Sequence, residues 1–100
     1  MLDSGWSKAR IESLGAGRTA RLEPVLLTLR AGGASGKKTH TLPREQFVLV
    51  VSGEVTLILD ESRQVLSSGD AVTIAPQTPF RWINESMSPA QLLAVSSRAL

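Results

Sequence analysis

Turn-forming residues cut this chain into short pieces. The breaks are GAG at 15–17, AGGASG at 31–36, SG at 52–53, DES at 60–62, SSGD at 67–70 and APQTP at 75–79. Between them lie short segments rich in Val, Leu, Ile and Thr. Several short β-prone segments at regular spacing predict a sandwich or a barrel. The sequence carries no long helical pattern, internal repeat or linker. The fold class that follows is all-β.

The predicted strands are 8–14, 22–30, 47–51, 54–60, 63–66, 71–75, 80–83 and 90–97. The first is ambiguous, because WSKARIESL could also make one or two helical turns. Pro24 falls near the start of the second, where a missing N–H is tolerated. Segments 47–51 and 54–60 are expected to form a hairpin over Ser52-Gly53. Segment 63–66 should return over the polar turn at 60–62. GGASGKK (32–38) reads as a flexible, solvated loop.

Strand alternation assigns faces. Phe80 and Trp82 point one way, Arg81 and Ile83 the other. Gln46 shares a face with Val48 and Val50, and His40 with Leu42 if that stretch is extended.

Length and charge narrow the function classes. One hundred residues predict a single domain, 1–100. A chain this short buries only about 60–70% of its unfolded surface, so a partner subunit would help it. The composition, 42% hydrophobic and 20% charged, is that of a folded domain rather than a disordered one. The net charge is +2, and the cations are scattered apart from Lys37-Lys38. Nucleic-acid binding needs positive charge gathered on one face, so no direct nucleic-acid contact is expected.

The absence of cysteine removes disulfides, thiolate nucleophiles and Cys-ligated zinc together. No apolar run reaches transmembrane length, and the N-terminus lacks a secretory pattern. The expected location is cytoplasmic, with no membrane partner.

Two stretches carry a resemblance. HTLPREQFVLVVSGEV (40–55) followed by SGDAVTIAPQTPFRWIN (68–84) resembles the two motifs of the cupin superfamily. The first motif runs His-x-His, a few residues, Glu, then Gly. The second has a Gly-Asp turn, a strand, a Pro turn, a Pro-His pair and a later Asn. Gly53, Gly69, Asp70, Pro76, Pro79 and Asn84 fit that frame.

The resemblance implies a small jelly-roll β-barrel, the double-stranded β-helix, with its core at about 22–97 and residues 1–21 as an N-terminal extension. It also implies a homodimer. LEPVLLTLRAGGASG and SPAQLLAVSS are further similar to the C-terminal cupin domain of bacterial helix-turn-helix regulators, which is thought to sense a small molecule. These residues contain no helix-turn-helix pattern, so a fragment and a free-standing relative both remain open.

The metal ligands that the family implies are largely missing. His40 matches the first histidine, Leu42 stands at the second, Gln46 at the glutamate and Phe80 at the histidine of the second motif. A catalytic metal site needs about three protein ligands. Leu and Phe cannot ligate, and a Gln carbonyl is a weak neutral donor. Glu45 is turned to the other face by alternation. No metal and no other cofactor is therefore expected.

Metal-free cupin enzymes use a His–Asp base and a Tyr acid; this chain has one histidine and no tyrosine. No catalytic residue is assigned. The candidate ligand pocket is His40, Leu42, Gln46, Phe80 and Trp82, with two readings for its apolar members: core filling, or the lining of a pocket. Trp82 leans toward the second, because its indole N–H needs a partner. The blander reading of His40 is a lone neutral histidine. Asp70 is expected to cap its own turn and Arg81 to be a surface or interface charge. The function that results is a non-catalytic module for small-molecule sensing or dimerisation, belonging to a transcriptional regulator or a free-standing relative. The alternative is a small dioxygenase- or isomerase-like cupin enzyme with an atypical metal site.

Overall fold

The computed structural model describes residues 7–14 and 21–97. Eight strands are present: β1 (Ser7–Ser13), β2 (Leu22–Ala34), β3 (Gln46–Ser52), β4 (Glu54–Leu59), β5 (Ser62–Ser67), β6 (Ala71–Ile74), β7 (Phe80–Ile83) and β8 (Ala90–Ser97). Among the described residues there is no helix, and so none long and apolar enough to cross a membrane. The ambiguous first segment is a strand, antiparallel to β2.

The strands run in the order β5-β4-β7-β2-β8-β3-β6. This path folds into two facing sheets. The larger contains β1, β2, β8, β3 and β6; the smaller contains β7, β4 and β5. They join where Ala34 of β2 pairs with Ile83 of β7. The result is the expected all-β jelly-roll barrel.

The inward rows follow the alternation. Val48 and Val50 on β3, Val55 and Leu57 on β4, Phe80 and Trp82 on β7, and Leu92 and Ala94 on β8 form one buried cluster with Leu27 and Leu29. Fully burying a Leu such as Leu29 or Leu57 contributes about 1.5–3 kcal/mol relative to leaving it exposed.

Two expectations are corrected. The segments on either side of Ser52-Gly53 are not a hairpin. β3 pairs with β6 and β8, whereas β4 pairs with β5 and β7, so the chain crosses from one sheet to the other here. Gly53 has φ +82°, and a Cβ on it would lie 2.7 Å from the Pro89 carbonyl oxygen and 2.9 Å from Ala90. The glycine serves a close crossing rather than a two-residue turn. The hairpin that does form joins β4 to β5, with Asp60 at φ +54°.

GGASGKK is not a solvated loop throughout. Gly33, Ala34 and Ser35 are buried and Gly36 is partly buried, with Gly32 exposed on one side and Lys37 and Lys38 on the other. The stretch 32–40 runs beside β7: Gly32 N donates to Asn84 O, Asn84 N to Gly33 O, Ser35 N to Trp82 O, and His40 N to Phe80 O. Small side chains let this backbone lie close against β7.

Two polar clusters fix the turns. Asp70 accepts from Ser67 N at 2.8 Å, with Gly69 at φ +93°, which is the predicted cap. Asn84 is fully buried. Its Nδ2 donates to Leu29 O and Ser88 O, and its Oδ1 accepts from Ser86 N and Ser86 Oγ.

Candidate functional site

The candidate site lies where β7 begins. Phe80 and His40 form an antiparallel bridge, with His40 N to Phe80 O at 3.0 Å and Phe80 N to His40 O at 2.9 Å. Their rings also touch, with centroids 4.4 Å apart and planes tilted by 58°. Phe80 is 4% exposed, and His40 is half-buried.

Leu42 packs against the core cluster, and its carbonyl accepts from Gln77 N at 2.7 Å. Gln77 sits in the Pro76–Pro79 turn with φ +61°, a left-handed conformation costly for a non-glycine residue. Gln46 opens the inward row of β3, paired with Ile74 on one side and Ser96 on the other. Its amide makes no hydrogen bond to a described residue.

Trp82 follows Phe80 on the inward face and is 1% exposed. Its backbone is tied twice to Ser35: Ser35 N donates to Trp82 O at 2.9 Å, and Trp82 N donates to Ser35 Oγ at 2.8 Å. Here a hydroxyl stands in for a ladder carbonyl. The indole Nε1–H has no hydrogen-bond partner among the described residues and is sealed from solvent. An unmet buried donor costs about 1–3 kcal/mol.

Of the five predicted residues, then, His40 and Phe80 are in direct contact, Trp82 shares the core cluster of Phe80 with Leu42 packed against it, and Gln46 stands on the other sheet. Ser35 was not legible as a participant. Its segment has a loop-like composition, and nothing local announces that β7 runs alongside.

The site is nearly uncharged. Burial pulls the His40 imidazole below its ordinary value of 6.5, partly offset by a hydrogen bond to the Lys38 backbone, so the ring is neutral at pH 7. Glu45 is exposed. Arg81 is turned to the other face of β7, where its Nε donates to Gly36 O at 2.6 Å.

These donors do not fit a metal ion. Among the described residues no group of three or more His, Cys, Asp or Glu side chains comes together. The positions matching the ligands of the cupin motifs offer one imidazole and one neutral amide, and the Phe80 ring lies against that imidazole.

The Cupin_2 family (Cupin domain) matches residues 25–96. The chain belongs to the cupin family. No protein of curated function matches it in sequence.

Solved cupins share its fold at low identity. A cupin 2 conserved barrel domain protein from Rhodopseudomonas palustris superposes with a TM-score of 0.88 at 18% identity, over 99% of this chain and 67% of that one. The Cupin_2 domain of an XRE-family transcriptional regulator from Enterobacter cloacae gives 0.80 at 20% identity, over 93% of this chain and 99% of that one. A sugar phosphate isomerase of the cupin superfamily from Silicibacter pomeroyi gives 0.81 at 24% identity, covering 92% of this chain. This cupin spans 60% of the isomerase's length. At these identities the likeness is one of fold.

Proposed function

We propose that this cupin is a non-catalytic, metal-free module that holds a small molecule in its barrel, as the sensing part of a transcriptional regulator or a free-standing relative. The observation that carries the reading is the pairing of His40 with Phe80. Where the family's metal would gather its ligands, an aromatic ring packs on a neutral imidazole. The site lacks the electron-pair donors that would hold a Lewis-acidic metal and has an apolar wall in their place. Among the described residues no titratable side chain is hydrogen-bonded or ion-paired to His40, and general acid–base catalysis requires positioned, tuned groups. The likeness to the XRE-family regulator's domain, which this chain matches almost end to end, supports the regulatory setting.

The test is elemental analysis of protein purified without chelator, combined with a thermal-shift screen of uncharged small molecules. The reading requires far less than one equivalent of Fe, Mn, Ni or Zn, together with stabilisation by some of the compounds. Near-stoichiometric metal that disappears in His40→Ala would overturn it in favour of a cupin enzyme with an atypical metal site.

A second reading, dimerisation, rests on a different surface. The outer face of the larger sheet aligns Leu26, Leu93 and Leu49 in one cross-strand row and Pro24, Val95 and Phe47 in the next. Phe47 and Val51 are 42% and 44% exposed on this face. Covering such an apolar patch favours a symmetric pair. The two readings are compatible, since the sheet face and the barrel interior are opposite sides of the same strands.

A further inference from the structure

We propose that the ligand is an uncharged, mostly apolar molecule that presents one hydrogen-bond acceptor to the indole N–H of Trp82. This deepens the ligand-holding reading above and rests on it.

The starting point is the one buried side-chain polar atom without a partner among the described residues, Trp82 Nε1. Buried donors in folded proteins are nearly always paired, so an unpaired one asks for a reason. Trp82 lies on the inward face of β7, in the cluster that includes Leu57, Leu29 and Phe80. Leu57 is its cross-strand neighbour. None of these neighbours can accept a hydrogen bond through its side chain. Among the described residues, Trp82 Nε1 is therefore the one fully buried side-chain donor left unused, and it lies within apolar walls.

The charge pattern excludes the other ligand classes. An anion or cation placed beside Trp82 would be desolvated without a counter-charge, which is strongly unfavourable. Arg81 is committed to Gly36 O on the other face, and Glu45 is exposed. The His40 ring at the mouth is neutral. What gains most from this interior is a molecule that loses little on leaving water and brings an acceptor for the waiting N–H.

The structure also has a weak side through which such a molecule could pass. Between Ser35, tied to Trp82, and His40, tied to Phe80, residues 36–39 intervene on one side against Arg81 alone on the other. Lys37, Lys38 and Thr39 are exposed in that excursion. Along 36–42 the described ties include the Arg81 Nε–Gly36 O bond, the bridge at His40 and the Gln77–Leu42 bond. The indole nitrogen is sealed, so an acceptor reaches it only when the packing around it yields.

The experiment is a titration of the wild-type chain, followed by the tryptophan indole signals in proton–nitrogen correlation spectra. The chain has two tryptophans, and a Trp6→Phe variant assigns the Trp82 signal. Three probes of similar shape are compared: acetophenone, which is uncharged with a carbonyl acceptor; ethylbenzene, which lacks the acceptor; and benzoate, which is charged. The inference requires a saturable downfield shift of the Trp82 indole proton with acetophenone. It also requires affinity about three- to tenfold above that of ethylbenzene, the scale of one net hydrogen bond, and weaker binding of benzoate. In Trp82→Phe the preference for acetophenone over ethylbenzene should vanish.

If ethylbenzene or benzoate binds as well as acetophenone, or if binding leaves the Trp82 signal unmoved, the ligand class is wrong while the barrel remains a binding module. If no probe at millimolar concentration perturbs any inward-facing residue, the ligand-holding reading itself fails, and this inference with it.

Discussion

The backbone of His40 exchanges two hydrogen bonds with that of Phe80, and the imidazole and phenyl rings lie 4.4 Å apart. These two residues match positions of the two separate cupin motifs. Forty positions apart in sequence, they are cross-strand neighbours in the barrel, which is where shared metal ligands would have to be. The frame that pairs the two motif positions is present, and it sets an imidazole against a phenyl ring, which has no donor for a metal.

The unpaired indole has a consequence for stability. Trp82→Phe removes the unmet donor, a gain of about 1–3 kcal/mol, and loses part of a large buried ring, a cost of similar size. The expected net change is within about 1 kcal/mol of wild type, whereas Trp82→Ala should cost roughly 3–5 kcal/mol. Urea unfolding of both variants checks this. A cost for Trp82→Phe close to that of Trp82→Ala would mean that the N–H is satisfied in solution.

His40 makes stability depend on pH. Burial lowers its folded pKa below 6.5, so in the window just below 6.5 the unfolded chain binds more protons than the folded one. The contribution is fully present above 6.5 and is lost as pH falls through the folded value. Unfolding midpoints from about pH 7.5 down to about pH 5 should fall less in His40→Asn than in wild type. Parallel curves for the two proteins would show that the imidazole is no more buried in the folded state than in the unfolded one.

Two glycines separate close approach from conformation. Gly53→Ala meets both a positive φ and the Pro89 carbonyl oxygen at 2.7 Å, whereas Gly69→Ala meets a positive φ alone, with nothing within 4 Å. The expected cost is about 1–2 kcal/mol at Gly69 and clearly more at Gly53. Thermal melts compare them; equal losses would mean that the crossing at Gly53 has slack.

The dimerisation reading makes a prediction about mass in solution. Light scattering at tens of micromolar should give twice the 10.7 kDa chain mass. Phe47→Arg, on an exposed position of that face, should return the monomer without loss of strand content. A wild-type monomer at that concentration would contradict the dimerisation reading.

Local chemistry made much of this architecture readable. The alternation of Phe80 with Arg81 and Trp82 with Ile83 follows from strand geometry alone, and so does the inward row of Gln46, Val48 and Val50. The Ser67–Asp70 cap depends only on residues in the turn itself. What escaped were the long-range relations. A Gly after Ser52 suits both a tight turn and a crossing between sheets, and only the distant Pro89 and Ala90 decide between them. Gly33, Ala34 and Ser35 have a loop's composition, and their burial comes from β7, about fifty residues further along. At the candidate site, the inward facing of Phe80 and Trp82 was legible, but the Ser35 tie and the unmet Trp82 donor needed the fold.

The central claim is that an intact cupin frame has exchanged its metal ligands for an apolar wall. The triple change Leu42→His, Gln46→Glu and Phe80→His tests it by supplying three donors beside His40, a nitrogen and oxygen set suited to Mn or Ni. Without metal the variant should be less stable than wild type by roughly 3–5 kcal/mol, through lost packing and buried polar groups. The measurement is its thermal melt with and without Ni(II) or Mn(II). The account predicts that metal raises the melting temperature of the variant and leaves wild type unchanged, because an ion bound only by the folded state stabilises it. A folded variant whose melt is indifferent to both ions would contradict the account, since His40, Leu42, Gln46 and Phe80 would then not converge on one site.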